Sequence, residues 1–272
     1  MKLSIIVVHY KTPELLKLCL KSLVTNVSKD MGYEIIVVDS ETSRISQDAI
    51  LENFPNVKLM PFKENIGYAK GVNEGISKAK GDYFLILNSD IIILPGSVER
   101  MVEYLEKNTE TGLVGPQLLD FNGNIQKTYF RFYTPLTILG RRTFLGKLPF
   151  FNKTIERFTM EEADPKNIFN PDWIMGAALM TSKKAIEKVG VMDERFSLYF
   201  EDVDWARRFW ENGYKITYLP GAQMYHYHQR QSKAGFDIFD FFIRRQTRTH
   251  IASAIKYFIK YGLSTTIQRR KV

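Results

Sequence analysis

Three groups of acidic residues lie far apart in the 272-residue sequence and have the composition of a metal and acid–base site. The groups are Asp39, the segment Asn88–Asp90, and the pair Glu201 and Asp202. Mg²⁺ and Mn²⁺ prefer carboxylate ligands, which makes Asp90 a candidate ligand. Glu201 and Asp202 follow an aromatic run, whose low polarity raises a carboxyl pKa and favours general-base chemistry. Spacing alone also allows a turn residue at Asp90 and a helix start at Glu201.

Histidines and glycines supply the other candidates. His226 and His228 alternate along a predicted strand and therefore point to opposite faces, so only one of them could reach a metal. The segment Asn65–Gly75 matches neither the phosphate-binding P-loop nor the dinucleotide fingerprint. Its glycines recur every fourth residue, which predicts close packing of one helix face at Gly71 and Gly75.

The elements that must position these residues alternate between short apolar runs and helical patterns. Strands are predicted over Leu3–Val8, Glu34–Val38, Val57–Met60 and Tyr83–Leu87, and amphipathic helices over residues 12–23, 67–79 and 97–105. Such alternation predicts right-handed βαβ units and a mostly parallel sheet flanked by helices. Ligands bind at the carboxyl ends of the strands in such sheets. We therefore expect Asp39, Asp90 and Asp202 to meet at one cleft.

The second half of the chain is less regular. Residues 120–170 contain several prolines and are predicted to be rich in loops. Regular structure is predicted to return with a strand over residues 173–181, helices over 183–189 and 203–212, and strands over 215–219 and 224–227.

Ordered motifs run through residues 3–232. They are Ser4–Tyr10, Glu34–Ser40, Asn65–Gly75, Gly81–Asp90, Gly176–Leu179, Val189–Phe196 and Leu198–Trp205. As a set they resemble the inverting GT-A glycosyltransferases of family 2. The resemblance implies an α/β fold of the GT-A, Rossmann-like type, with a mostly parallel sheet flanked by helices. The metal segment is Asn-Ser-Asp rather than Asp-x-Asp, a form similar to rhamnosyltransferase-like members.

The resemblance also implies roles for individual residues. Asp202 would be the general base, and Glu201 would bind the acceptor or orient Asp202. Asp90 and His226 would ligate a divalent cation, Mg²⁺ or Mn²⁺. The nucleotide sugar would contact His9, Tyr10, Asp39, Asn65, Gly67, Asn88, Ser89, Gly176 and Ala177.

The implied reaction is the inverting transfer of a sugar from a nucleotide-diphosphate donor, dTDP-rhamnose or a UDP-sugar. The acceptor would be a hydroxyl of a glycan or of a lipid-linked molecule, selected by the loops of residues 120–170 and by the C-terminal tail. The enzyme would act in the synthesis of cell-envelope polysaccharide.

Two other functions remain open from the sequence. A sugar nucleotidyltransferase has a similar sheet and metal, but such enzymes carry a glycine-rich basic loop after the first strand, where this chain has His9–Pro13 without glycine. A non-catalytic nucleotide- or carbohydrate-binding module is the second alternative. The presence of Asp90, Asp202 and His226 favours catalysis over such a module.

Positive charge is concentrated at the C-terminal end. The formal net charge is +8, and residues 236–272 contain eight lysines and arginines against two aspartates. We therefore divide the chain into a catalytic domain, residues 1–235, and a basic amphipathic helical extension, residues 236–272. Its charge and apolar residues favour an anionic membrane surface as partner, and no nucleic-acid partner is expected. A helix packed on the catalytic domain and a homodimer interface are the alternatives.

The remaining composition bears on location. The chain has a single cysteine, Cys19, which excludes an intrachain disulfide and is typical of a buried residue in a reducing compartment. It has no secretory signal pattern and no apolar run of the roughly 20 residues that a transmembrane helix needs. We therefore expect a cytoplasmic protein that lies peripherally on the inner face of the cell membrane.

Overall fold

The computed structural model describes residues 1–41, 44–142, 148–196, 198–227 and 245–263, together with Thr265 and Ile267. The strands are β1 Leu3–Tyr10, β2 Tyr33–Ser40, β3 Val57–Phe62, β4 Tyr83–Asn88, β5 Ile91–Ile93, β6 Thr111–Leu119, β7 Tyr129–Phe130, β8 Trp173–Ile174, β9 Ala178–Ser182 and β10 Lys215–His226. The helices are α1 Pro13–Asn26, α2 Arg44–Asn53, α3 Tyr68–Lys78, α4 Ser97–Lys107, α5 Pro135–Arg142, α6 Pro149–Thr159, α7 Lys183–Val189, α8 Glu201–Glu211 and α9 Arg245–Tyr261.

Eight strands form one sheet in the order β3-β2-β1-β4-β9-β6-β10-β5. The pairs β3–β2, β2–β1, β1–β4 and β6–β10 are parallel, whereas β9 and β5 run antiparallel to their neighbours. Strands β7 and β8 form a separate antiparallel pair. The predicted α/β architecture, a mostly parallel sheet flanked by helices, is confirmed.

Strand β1 shows how the sheet is buried on both faces. Ile5 and Val7 belong to the core on one side of the sheet together with Leu16 of α1, and Ile6 belongs to the core on the other side together with Val72 of α3. All five side chains are fully buried. A nearly continuous apolar run is the pattern expected of such a strand.

The glycines of α3 permit its close approach to β1. A Cβ atom at Gly75 would lie 2.3 Å from Ile6 Cγ2, and one at Gly71 would lie 3.1 Å from Val8 Cγ1. Neither distance leaves room for an unshifted side chain. The predicted close packing of this helix face is confirmed.

Strand β6 was not predicted, because Gly112, Gly115 and Pro116 resemble a turn in composition. All nine of its residues are nevertheless buried. A Cβ at Gly112 would lie 2.5 Å from Phe209 Cδ1, and one at Gly115 would lie 2.6 Å from Ile174 Cγ2. These glycines therefore serve packing and not a turn.

Two helices occupy part of the predicted loop region, residues 120–170. Pro135 and Pro149 are the first residues of α5 and α6, a position where the missing proline N–H is not needed. The prediction of a loop-rich region missed these two helices, because prolines that begin helices have the same composition signal as prolines in loops. The predicted strand over 173–181 is also interrupted, since β8 and β9 are separated by residues 175–177.

The C-terminal helix α9 packs against the rest of the protein. Tyr257 is 1% exposed, and its hydroxyl accepts a hydrogen bond from Arg207 of α8 at 3.2 Å. Lys260 pairs with Asp193 at 2.8 Å and with Asp204 at 2.5 Å. In the described part of the extension, the alternative of a helix packed on the catalytic domain is therefore realised on one face.

The predicted boundary at residues 235 and 236 lies outside the described residues, as do His228 and three apolar residues of the extension expected at the membrane, Phe239, Phe242 and Ile243. The division into two parts therefore stays a prediction. Among the described helices, none is both long enough and apolar enough to cross a bilayer.

Candidate active site

A pocket of about 350 Å³ opens where the end of β4, the β8–β9 connection and the start of α8 meet. Its walls include seven residues singled out from the sequence: Asn88, Asp90, Gly176, Ala177, Glu201, Asp202 and His226. The fold therefore brings candidates from four distant segments into one space.

Asp202 is held in place by backbone groups. Its Oδ2 accepts a hydrogen bond from the Gly176 N–H at 3.0 Å, and its Oδ1 accepts one from the Val203 N–H at 2.9 Å. Burial raises the pKa of Asp202 to about 6, and the two backbone hydrogen bonds oppose that rise. A fixed carboxylate with this pKa is mostly ionised at neutral pH and is basic enough to accept a proton.

Glu201, the preceding residue, has a more apolar environment. It is 6% exposed, and its Oε2 has no hydrogen-bond partner among the described residues. Burial, and then repulsion from the charge of Asp202, raise the pKa of Glu201 well above its usual range. Of these two adjacent carboxyl groups, backbone hydrogen bonds favour the ionised form of Asp202, whereas burial and the neighbouring charge favour the neutral form of Glu201.

The turn before α8 aims both carboxyl groups into the pocket. Tyr199 and Phe200 have φ angles of +65° and +69°, a left-handed conformation that costs non-glycine residues about 1–2 kcal/mol each. Phe200 is buried, and its ring packs on Tyr133 at 4.8 Å between centroids. Tertiary packing therefore holds a backbone conformation that the local sequence disfavours.

Asp90 and His226 lie next to each other at another part of the wall. The distance from Asp90 Oδ2 to His226 Nε2 is 3.6 Å. Burial raises the pKa of Asp90 to about 6. Its Oδ1 is buried and has no hydrogen-bond partner among the described residues.

Gln126 fixes the orientation of the His226 ring. The Gln126 Nε2 donates to the backbone oxygen of His226 at 2.9 Å, so its Oε1 accepts from the histidine Nδ1 at 2.9 Å. The Nε2 atom is then the nitrogen that faces Asp90. Such an arrangement, with one ring nitrogen held by an outer partner, is typical of metal-ligating histidines.

These two side chains fit a divalent cation that also uses ligands from a substrate. No group of three or more histidine, cysteine, aspartate or glutamate side chains suited to a metal occurs within the described ranges. Mg²⁺ commonly takes one or two protein carboxylates and fills its other positions with phosphate oxygens and water. The unsatisfied Oδ1 of Asp90 supplies one suitable donor.

Asp39 does not line this pocket. It pairs instead with His9, its neighbour across the β1–β2 register, with 2.7 Å between Asp39 Oδ1 and His9 Nδ1. The His9 Nε2 accepts the Thr12 N–H at 2.9 Å, so Nδ1 carries the proton that bonds to Asp39. The three carboxylates were expected to meet at one cleft. They instead form two separate groups, Asp39 with His9 and Asp90 with Asp202.

One hydrogen bond connects these two groups. The hydroxyls of Thr12 and Ser89 are 3.2 Å apart, and Ser89 directly precedes Asp90. Tyr10, the last residue of β1, is 44% exposed beside them and can stack on a flat ligand. The nucleotide-contact candidates His9, Tyr10, Asp39 and Ser89 thus form a second cluster alongside the pocket.

Asn65 and Gly67 lie in the turn that leads into α3. The Asn65 Oδ1 accepts the Gly67 N–H at 2.9 Å, and Gly67 has a φ angle of +83°. This turn places Tyr68 in the pocket, where its hydroxyl donates a hydrogen bond to the Gly176 carbonyl. Tyr68 was not singled out from the sequence, although it directly follows the predicted Gly67.

Aromatic rings form a further part of the pocket wall. They are Phe130, Tyr133, Trp173, Tyr199 and Phe200. Phe130 and Trp173 stack with 4.8 Å between their centroids. Ring faces of this kind suit the apolar face of a sugar. Tyr199 and Phe200 belong to the aromatic run noted before Glu201, whereas Phe130, Tyr133 and Trp173 could not be found from the sequence, because their proximity to that run is a tertiary property.

The sequence profile of glycosyl transferase family 2 matches residues 4–163, more than half of the chain. The chain belongs to glycosyl transferase family 2. Its relatives include the N-acetylglucosaminyl-diphospho-decaprenol L-rhamnosyltransferase of Mycobacterium tuberculosis, 26% identical over 239 residues that cover 83% of this chain and 76% of that protein.

Solved structures agree with the family on the fold. GalNAc-T7 with UDP, GalNAc and Mn²⁺ superimposes with a TM-score of 0.68 at 14% identity, over 96% of this chain and 49% of that one. The mannosyltransferase PcManGT of Pyrobaculum calidifontis with GDP-Man and Mn²⁺ gives a TM-score of 0.58 at 17% identity, over 94% and 64% of the two chains. This family 2 protein therefore has the GT-A fold and is a glycosyltransferase. The two alternatives left open by the sequence, a sugar nucleotidyltransferase and a non-catalytic binding module, are not needed to explain the family match or the fold.

Proposed function

We propose that this glycosyltransferase moves a sugar from a nucleotide diphosphate to a hydroxyl of a glycan or lipid-linked acceptor, with inversion at the anomeric carbon. The observation that carries the proposal is the pocket that Asp202 shares with Asp90 and His226. It offers a proton acceptor and a cation-binding pair in one space.

Asp202 is the proposed general base. Its carboxylate takes the proton from the acceptor hydroxyl while the hydroxyl oxygen forms a bond to the anomeric carbon. The bond from that carbon to the donor phosphate oxygen breaks on the opposite side, so a single displacement inverts the configuration. The N–H groups of Gly176 and Val203 hold the carboxylate in one orientation. Glu201, whose pKa burial raises well above its usual range, can donate a hydrogen bond to the acceptor in its protonated form.

Asp90 and His226 are the proposed ligands of Mg²⁺ or Mn²⁺, supported by the unsatisfied Asp90 oxygen and the ring orientation set by Gln126. When bound, such an ion neutralises the negative charge of the diphosphate leaving group. The nucleotide is proposed to lie along the second cluster, His9, Tyr10, Asp39 and Ser89, with Asn65, Gly67, Asn88, Gly176 and Ala177 between base and sugar.

The donor is proposed to be dTDP-rhamnose or a UDP-sugar, since a rhamnosyltransferase is among the relatives and Asn88 stands where a second aspartate is usual. The acceptor is proposed to be lipid-linked, as the name of the same relative says of that protein, within cell-envelope polysaccharide synthesis. The proposed location is peripheral, on the inner face of the membrane.

A thermal-shift screen of dTDP-rhamnose, UDP-glucose and UDP-N-acetylglucosamine, each with and without Mn²⁺, tests the site. We expect a Mn²⁺-dependent rise in melting temperature with at least one donor, and loss of that dependence in Asp90→Ala. The variant Asp82→Asn, with an exposed aspartate that is absent from the pocket, is the matched control and should behave as the wild type. An Asp90→Ala protein with an undiminished Mn²⁺-dependent shift would exclude Asp90 as a ligand.

A further inference from the structure

The α5–α6 hairpin, defined as residues 135–142 and 148–159, carries exposed apolar side chains beside the active-site pocket. Phe150 is 71% exposed, Leu148 is 50% exposed and Leu136 is 47% exposed. Large apolar side chains in contact with water are a feature of surfaces that bind partners or membranes.

The inner face of this hairpin is firmly packed, so its exposed residues are not a result of loose folding. A Cβ at Gly140 of α5 would lie 2.7 Å from Phe151 Cδ1 of α6, which shows how closely the two helices approach. Phe151 and Phe158 are 5% and 2% exposed, and Phe158 stacks on Phe130 of the pocket wall at 5.2 Å. The hairpin therefore combines a buried inner face with exposed apolar side chains outside it.

Positive charge on the α5–α6 hairpin indicates which kind of surface the hairpin binds. The hairpin residues 135–142 and 148–159 contain four lysines and arginines and one glutamate, a formal net charge of +3 in 20 residues. Apolar side chains next to an excess of basic residues are the composition of interfacial elements that bind anionic lipid. A protein partner with a purely apolar face would leave this charge without counterpart.

Arg141 connects the hairpin to the pocket. Its guanidinium lies over the Phe158 ring at 4.8 Å, and its NH1 group donates to the Tyr133 hydroxyl at 3.3 Å. Arg141 and Tyr133 both line the pocket that contains Asp202. A surface held by the hairpin would therefore lie next to the point where the acceptor hydroxyl must enter.

We infer that the α5–α6 hairpin docks on an anionic lipid bilayer, with Leu136, Leu148 and Phe150 at the acyl boundary and the exposed side chains of Lys153 and Arg157 on lipid phosphate. The inference rests on the proposed function in one respect, because it supplies the route by which a lipid-linked acceptor reaches Asp202. It is distinct from membrane contact through the C-terminal extension, which uses other residues.

Vesicle flotation tests this surface directly. The full chain is mixed with phosphatidylglycerol–phosphatidylcholine vesicles or with phosphatidylcholine vesicles alone, and its partition is compared with that of the double variant Leu148→Ser/Phe150→Ser. The control is Leu18→Ser/Val24→Ser on α1, whose side chains are 49% and 46% exposed. We expect anionic-vesicle binding to weaken by about tenfold or more in the hairpin variant, as loss of one buried phenylalanine alone corresponds to that factor. Binding by the control should match the wild type.

A third variant, Ile255→Ser/Ile259→Ser, separates the hairpin from α9, where these side chains are 55% and 80% exposed. The inference is overturned if the wild type does not float with anionic vesicles, or if only the α9 variant loses binding. Titration of each variant with Mn²⁺ and the nucleotide sugar from the donor screen gives an independent readout. Retained donor binding with no flotation rejects the lipid surface alone, whereas flotation without donor binding rejects the proposed function alone.

Discussion

At the scale of single residues, the two carboxyl groups at the start of α8 have surroundings that affect their ionisation differently. Asp202 receives two backbone hydrogen bonds, which favour its charged form. Glu201 has a buried oxygen without a partner among the described residues, which favours its neutral form. Environments that separate the pKa values of neighbouring acids are how one site holds both a base and a hydrogen-bond donor.

The raised pKa of Asp202 predicts the acid limb of the pH–rate profile. A base must be ionised, so kcat/KM for the acceptor should be constant at neutral pH and fall as pH decreases through the pKa of about 6. The measurement is initial-rate kinetics from pH 5 to pH 8 at saturating Mn²⁺, so that the proposed ligand Asp90 is held in its ionised form by the ion. A flat profile down to pH 5 would contradict the assignment of Asp202 as base.

At the scale of elements, the sequence was sufficient to predict a helix or strand where a periodic or continuous apolar pattern coincided with a buried element. The strands β1, β2 and β4 and the helices α1, α3 and α4 follow from such patterns, and parallel pairing explains why residues at their ends meet. Strand β6 and helices α5 and α6 did not follow. Their glycines are required by tertiary packing, and their prolines occupy the first positions of helices. In the sequence alone, the same residue types are typical of turns, so these elements were not predicted.

The contact between α3 and β1 predicts a large effect of a single methyl group. Gly75→Ala should reduce the free energy of unfolding by about 1–3 kcal/mol, because the new Cβ would lie 2.3 Å from Ile6 Cγ2. Urea unfolding followed by circular dichroism measures this change.

The control for that variant is Gly221→Ala, where an added Cβ would meet only Arg100 Cδ at 3.8 Å. Equal unfolding midpoints for Gly75→Ala and the wild type would show that α3 and β1 are not packed as closely as described.

At the scale of the whole molecule, the site is assembled from segments that only the fold brings together. The carboxylates and His226 could be identified from the sequence, because their residue types and their positions relative to predicted strands are typical of catalytic and metal-binding residues. Sequence reasoning could not identify Gln126, Tyr68 or the wall residues Phe130, Tyr133 and Trp173, because their roles depend on distances between remote segments. It also placed Asp39 with the other carboxylates, whereas the register of β1 and β2 pairs it with His9.

The C-terminal helix α9 is part of this assembled molecule. Its inner face holds buried Tyr257, and Lys260 reaches the fully buried carboxylate of Asp204. Part of the basic charge of the extension is therefore neutralised within the chain. The exposed face with Ile255 and Ile259 stays available for the predicted membrane contact or homodimer interface.

Two substitutions on this one helix test its docking. Tyr257→Ala should reduce the free energy of unfolding by about 3–5 kcal/mol, the range for a buried aromatic residue. Ile259→Ala, at an 80% exposed position on the same helix, should change it by less than about 0.5 kcal/mol. Urea unfolding of the full chain gives both values, and equal losses would contradict the described packing.

The central claim is that Asp202 removes the proton of the acceptor hydroxyl, whereas other residues of the site bind the donor. The most direct test compares sugar transfer and donor binding in Asp202→Asn, using the donor found in the Mn²⁺ screen and a synthetic N-acetylglucosaminyl diphosphate lipid as acceptor. We predict a loss of transfer of about 10²–10⁴-fold, while the donor Kd measured by titration calorimetry changes by less than about threefold, or under 1 kcal/mol. Transfer by Asp202→Asn at the wild-type rate would contradict the account.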